Sequence, residues 1–191
     1  MVFFLTILLV VAISVPLTKG SFHRMSRLQF SHLWLLLVAL IAQLLLELLA
    51  FPQERIEDVG YALLLTTYVM LFVFCWINRR TSGMTIVAVG IALNFLVIAL
   101  NQGMPAKDDL RVVDGREVHV AIEQSVKHRP QDDDTMLPFL GDVITFPELP
   151  NQQFSIGDIV MGLGILDICF EASRVPRRRG RPLPDREPVS E

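Results

Sequence analysis

Apolar positions fall in blocks along this chain, without the spacing of an amphipathic helix or strand. The blocks are Met1–Leu17, Leu33–Phe51, Val59–Ile77, Met84–Leu100 and, more polar, Phe154–Ala172. Each comes close to the ~20 residues that a helix needs to cross the hydrocarbon core of a bilayer. The blocks predict an all-α integral membrane protein of five transmembrane helices, at about 1–17, 33–51, 59–77, 84–100 and 154–172. A hydrophobic content of 52% fits that class better than a soluble domain.

The polar gaps give the spans a direction. Lys19, Arg24 and Arg27 lie between spans one and two, Arg79 and Arg80 between three and four, and Arg174, Arg177, Arg178, Arg179, Arg181 and Arg186 after span five. Between spans two and three, Arg55 is outnumbered by Glu54, Glu57 and Asp58. In the connection Asn101–Gln153, five basic residues are diluted among more acids. Basic gaps alternate with acidic ones, which predicts the N-terminus outside and the C-terminus inside. The first block lacks a basic start and an Ala-x-Ala site, so it reads as an uncleaved span and not as a signal peptide. The weakest span is the fifth, with Asp158, Asp167 and Glu171, and a dip that returns is the competing reading.

The membrane domain then covers 1–173, with an external insertion at 101–153 and a basic, then Pro-rich cytoplasmic tail at 174–191 that is too polar to pack. Within the insertion, 111–120 alternates about Asp114-Gly115 like a hairpin, whereas His119, Glu123 and Lys127 have helical spacing. The balance falls to a short helix. Leu137–Phe146 is apolar, Pro-bounded and too short to span, which predicts a cap lying on the outer ends of spans four and five. That arrangement would bring His128 and Asp142 near span five.

No motif of a nucleophile or zinc site is present, and Asp132–Asp134 lacks the alternation and Gly of a calcium loop. Cys75 and Cys169 both fall late in inward-running spans and read as small apolar residues. The polar residues expected at the outer face are Asn94, Asn101, His128, Asp142 and Asp158, which are the candidate ligand-binding residues. Each has a structural reading beside it. Ser155-Ile-Gly-Asp158 has the form of a helix capping box, Asn101 can end span four, and Asp142 can sit in a turn. His119, His128 and Asp142 are weak metal candidates without ligand spacing, so no metal or cofactor is expected and no residue is assigned a catalytic role. Inside the spans, a transport path would have to join Glu47 or Asn94 to Asp167, and Glu47 and Asp167 sit in opposite leaflets.

Several elements occur in an order that resembles a bacterial family of small multi-spanning membrane proteins known only as a domain of unknown function. They are Lys19-Gly20-Ser21 with Arg24 and Arg27, Asn78-Arg79-Arg80, Asn94, Asn101-Gln-Gly-Met-Pro105, Lys127-His128, Leu140-Gly-Asp142 and Ser155-Ile-Gly-Asp158. Gln102 stands where members usually have the first Gly of Asn-Gly-Gly. The resemblance implies a multi-pass protein of the bacterial plasma membrane and brings no activity with it. The function expected is a non-enzymatic membrane protein that binds or supports a protein or lipid partner at its outer face. A membrane enzyme or small-ligand protein at that face, and a small transporter, are the alternatives. Expected partners are the bilayer and a membrane protein or a second copy of the chain, not nucleic acid.

Overall fold

Helix α1 (Val2–Leu17) opens the chain, and α3 (Leu33–Leu48), α4 (Tyr61–Ile77), α5 (Met84–Asn101) and α6 (Ile156–Ser173) follow at the remaining apolar blocks. A one-turn helix, α2 (Phe22–Met25), lies between α1 and α3. The computed structural model describes residues 2–48, 59–107, 109–113, 116–120, 126–145 and 153–174. The expected end of the second span, the acidic gap at 52–58 and the tail from 175 lie outside them.

The protein is mostly helical, but one described helix, Met84–Asn101, is both long and apolar enough to cross a membrane by length and composition. Thr6–Leu17, Leu33–Leu46 and Tyr61–Ile77 are apolar and shorter. Helix α6 has 18 residues but is interrupted by carboxylates. Neighbouring helices pack as α3 on α4, α4 on α5, α5 on α6 and α6 on α1. Buried Leu64, Leu71, Phe74, Ile91, Val97 and Ile98 form the main core, and Ile7, Val11 and Val15 of α1 form a second against α6.

The tightest contact is between α5 and α6. Gly90 faces Gly157, and Gly83 faces Gly164, so the helices run antiparallel with backbone against backbone. A Cβ on Gly90 would sit 2.5 Å from the Gly157 carbonyl oxygen, and one on Gly164 would sit 2.6 Å from the Val87 nitrogen. Small residues at a helix crossing permit this approach. The register leaves α6 starting alongside Asn94, seven residues before α5 ends. At 1.5 Å per residue, α6 begins about 10 Å below the end of α5.

The space above α6 is filled by the insertion. Helix α5 stops at Gln102, which is left-handed (φ 55°, ψ 37°), and the chain turns through Gly103 into strand β1 (Met104–Ala106), fully buried. Strand β4 (His128–Pro130) pairs with β1 in parallel, and Ala106 bridges Asp142. A 3-10 turn at Pro138–Leu140 contacts both α5 and α6. The short pair β5 (Ile144–Thr145) and β6 (Gln153–Phe154) leads into α6.

Two expectations need correction. The region 109–120 is a hairpin, not a helix: β2 (Asp109–Val113) pairs antiparallel with β3 (Arg116–Val120), with Asp109 opposite Val120. Alternating Val residues on a pleated strand outweigh the single i, i+4 charge pattern, of which Glu123 lies outside the described residues. The cap is present over the α5 and α6 ends, but it does not bury all of its apolar side chains. Leu140 is buried, Leu137, Val143 and Ile144 are half-buried, and Phe139 is exposed. Phe146 lies outside the described residues.

At the opposite, basic end, Asn78 closes the bundle. Its amide donates to the Ser31 carbonyl at 3.0 Å and accepts from the Ser31 N–H at 2.9 Å, as a strand neighbour would. Ser21 N–H donates to the Ser173 carbonyl at 2.9 Å, and Arg24 reaches the same oxygen at 3.2 Å.

Candidate functional site

The cap end contains two polar clusters. The first is built on the start of α6. Ser155 has extended backbone and caps the helix: its hydroxyl accepts from the Asp158 N–H at 3.0 Å, while the Asp158 carboxylate accepts from the Ser155 N–H at 3.1 Å. This reciprocal box satisfies two helix N–H groups that would otherwise be orphaned inside the bundle. Asn94 of α5 closes a ring with it. Its amide donates to Asp158 at 2.9 Å, and its carbonyl oxygen accepts from the Ser155 hydroxyl at 2.9 Å. Asn94 and Ser155 are both buried. Every oxygen and nitrogen of the Asn94 amide group is used within the protein.

The second cluster holds the cap together. His128 Nε2 lies 3.3 Å from Asp142 Oδ2, joining β4 to the segment that follows the 3-10 turn. Asp142 N–H donates to the Pro105 carbonyl at 2.8 Å. Burial raises the Asp142 carboxyl above the usual carboxylate range, and Asp158 adds to the rise. The hydrogen bond and charge of His128, and the charge of Lys127, act in the opposite direction and are outweighed. The two clusters therefore share one electrostatic region.

Asn101 belongs to neither ring. Its side-chain amide donates to Val97 (2.8 Å) and Met136 (2.9 Å) carbonyls, and its oxygen accepts from the Met136 N–H at 2.8 Å. It pins the cap to the end of α5. His119 lies on β3, opposite Leu110 in the hairpin. Among the described residues, no group of three or more His, Cys, Asp or Glu is placed to hold a metal ion. Asp167 accepts from Ser82 at 2.7 Å at the basic end, with the glycine contacts of α5 and α6 between it and Asn94. Cys75 and Cys169 are free thiols.

Two residues at the cap end escaped the sequence reading. Tyr68, buried in the middle of α4, lies within the field of both Asp158 and Asp142. The signal was one of two phenols, the other being Tyr61, in the apolar block Val59–Ile77, which packing against Phe95 also explains (ring centroids 6.2 Å apart). Arg129 donates to the Asn101 carbonyl at 3.1 Å, at the negative end of α5. It lines a cleft of about 240 Å³ beside Asn101, with Leu100, Asp132, Asp134 and Met136.

The model of a family of unknown function (DUF5317) matches residues 27–170, and the chain belongs to that family. No curated protein and no solved structure matches the chain significantly.

Proposed function

We propose that this DUF5317 member is a five-span, non-enzymatic protein of the bacterial plasma membrane, N-terminus outside and C-terminus inside. Its folded outer cap binds or supports a protein or lipid partner. The observation that carries this reading is the apolar exposure of the helices. Leu8, Leu9, Ile13, Trp34, Leu37, Ile41, Leu44, Val69, Val73, Ile86, Val89, Leu96 and Leu163 stand on five different helices with their side chains uncovered. Water does not tolerate a belt of that extent on a monomer, whereas lipid does. Helices of 16 to 18 residues fall at the short end of the spanning range, and tilt or local thinning of the bilayer accommodates them. Arg79 over Trp76, 4.7 Å from the ring, suits an interfacial anchor at the basic end.

The candidate side chains favour support over catalysis. Asn94, Ser155 and Asp158 bond to one another, Asn101 holds the cap, and His128 pairs with Asp142. The packed glycines between Asn94 and Asp167 speak against a polar path across the protein. Topology is tested with single cysteines after Cys75 and Cys169 are replaced. Cysteines at Glu57 and Asp109 should react with an impermeant thiol reagent in intact cells, and one at Ser82 should not. Labelling at Ser82 alone would reverse the orientation, and labelling at all three would end the five-span reading.

A further inference from the structure

The cleft beside Asn101 has features that neither ring explains. One wall is the exposed last turn of α5 at Leu100, and another is the exposed Met136 of the cap. Arg129 stands inside it, with one guanidinium nitrogen on the Asn101 carbonyl and no carboxylate within ion-pair distance among the described residues. Asp132 and Asp134, both exposed, line the cleft as well. Asp132 accepts from Thr135 at 2.8 Å within its own turn, and among the described residues Asp134 is held by no such bond.

We propose that this cleft binds the headgroup of a zwitterionic phospholipid bearing a primary ammonium, of the phosphoethanolamine type. The proposal rests on the membrane reading above. In that reading the end of α5 lies at the outer interface, so the cleft opens at headgroup depth. Arg129 matches the phosphate, for which a guanidinium has fixed, paired donors. Asp132 and Asp134 match the ammonium, whose three N–H groups donate to carboxylates. Leu100 and Met136 offer apolar contact to the start of the acyl chains. The volume of about 240 Å³ is below that of sites for drug-sized ligands and suits a small headgroup. The chemistry also excludes neighbours. An anionic glycerol headgroup would leave both carboxylates without a cation. A quaternary choline cannot donate hydrogen bonds, and no aromatic ring lines the cleft to receive it.

The test uses the purified full chain reconstituted in vesicles of equal parts phosphatidylethanolamine, phosphatidylglycerol and phosphatidylcholine. After extraction, the lipids that remain with the protein are quantified by mass spectrometry. Phosphatidylethanolamine should be enriched over both others. Asp134→Lys should lower that enrichment about two- to fivefold, as expected for an exposed charge pair, and raise phosphatidylglycerol. Arg129→Gln should reduce phosphatidylethanolamine retention too. Arg129 also holds the α5 end, so Asp134→Lys is the deciding variant. Equal retention of the three lipids, or an unchanged preference in Asp134→Lys, overturns the proposal. Free phosphoethanolamine that raises the melting temperature as much as the lipid does would overturn the lipid source and leave a soluble zwitterion. Failure of the membrane reading itself would look different: the chain would leave the membrane without detergent before any lipid was counted.

Discussion

Gly90 and Gly157 meet with their backbones in contact, at the point where α5 and α6 cross. In an isolated helix, Gly→Ala adds about 1 kcal/mol of stability through propensity. Here the added methyl would stand 2.5 Å from a carbonyl oxygen and push the helices apart. Gly90→Ala should therefore destabilise the protein, by about 1–3 kcal/mol for overpacking. Thermal unfolding in detergent reads the sign. A more stable Gly90→Ala protein would mean that the helices are not this close.

The ring of Asn94, Ser155 and Asp158 should behave as one unit. Ser155→Ala removes a cap worth ~1 kcal/mol and also leaves the Asn94 oxygen unsatisfied. Asn94→Ala and Ser155→Ala together should cost less than the sum of the two, with a coupling of about 0.5–3 kcal/mol. A double-mutant cycle measures it, and strict additivity would contradict the ring. If Asp158→Asn stays as stable as wild type and yet loses a cellular phenotype, Asp158 has a ligand role beyond its cap.

Gln102 occupies a left-handed position at the end of α5, a conformation that glycine reaches without strain. Gln102→Gly should raise stability by about 1 kcal/mol, because side-chain-bearing residues pay roughly that in left-handed backbone. Unchanged or lower stability would place the end of α5 in another conformation.

The Asp142 carboxyl is raised by burial, so the folded protein holds its proton more tightly than the unfolded chain. Its contribution to stability is full below the ordinary carboxylate value of about 4 and is lost as pH rises through the raised value. Asp142→Asn keeps the group neutral and should flatten the pH dependence of stability above about pH 4. Parallel pH profiles for wild type and Asp142→Asn would show that another group sets the slope.

Helix positions were legible because continuous apolar blocks have one cheap conformation in or out of lipid: Met84–Leu100 was read from sequence and Met84–Asn101 is helical. The capping box was equally legible, since Ser155 and Asp158 are local to each other. Relations between distant residues were not. Nothing in the sequence near Asn94 says that it faces Ser155, 61 residues away. That pairing depends on how far α6 slides along α5. The hairpin at 109–120 was misread because alternation and helical spacing overlapped in one short polar stretch. Arg129 was passed over as one diluted charge among five, and the turn-back at Gly103 is what places it beside Asn101.

The glycine pairs of α5 and α6 recur seven residues apart on each helix, so the seam itself favours one register. A slide of one turn would take both glycine pairs out of register, and a slide of two turns would keep a single pair. Either slide would also carry Asp158 about 5 Å or more from Asn94 and strand a carboxylate and an amide in apolar surroundings. The polar ring therefore acts as a detent, as a single buried Asn does in a coiled coil. Its effect is to reinforce the one alignment that the glycine pairs favour, and with it the depth at which the cap must sit.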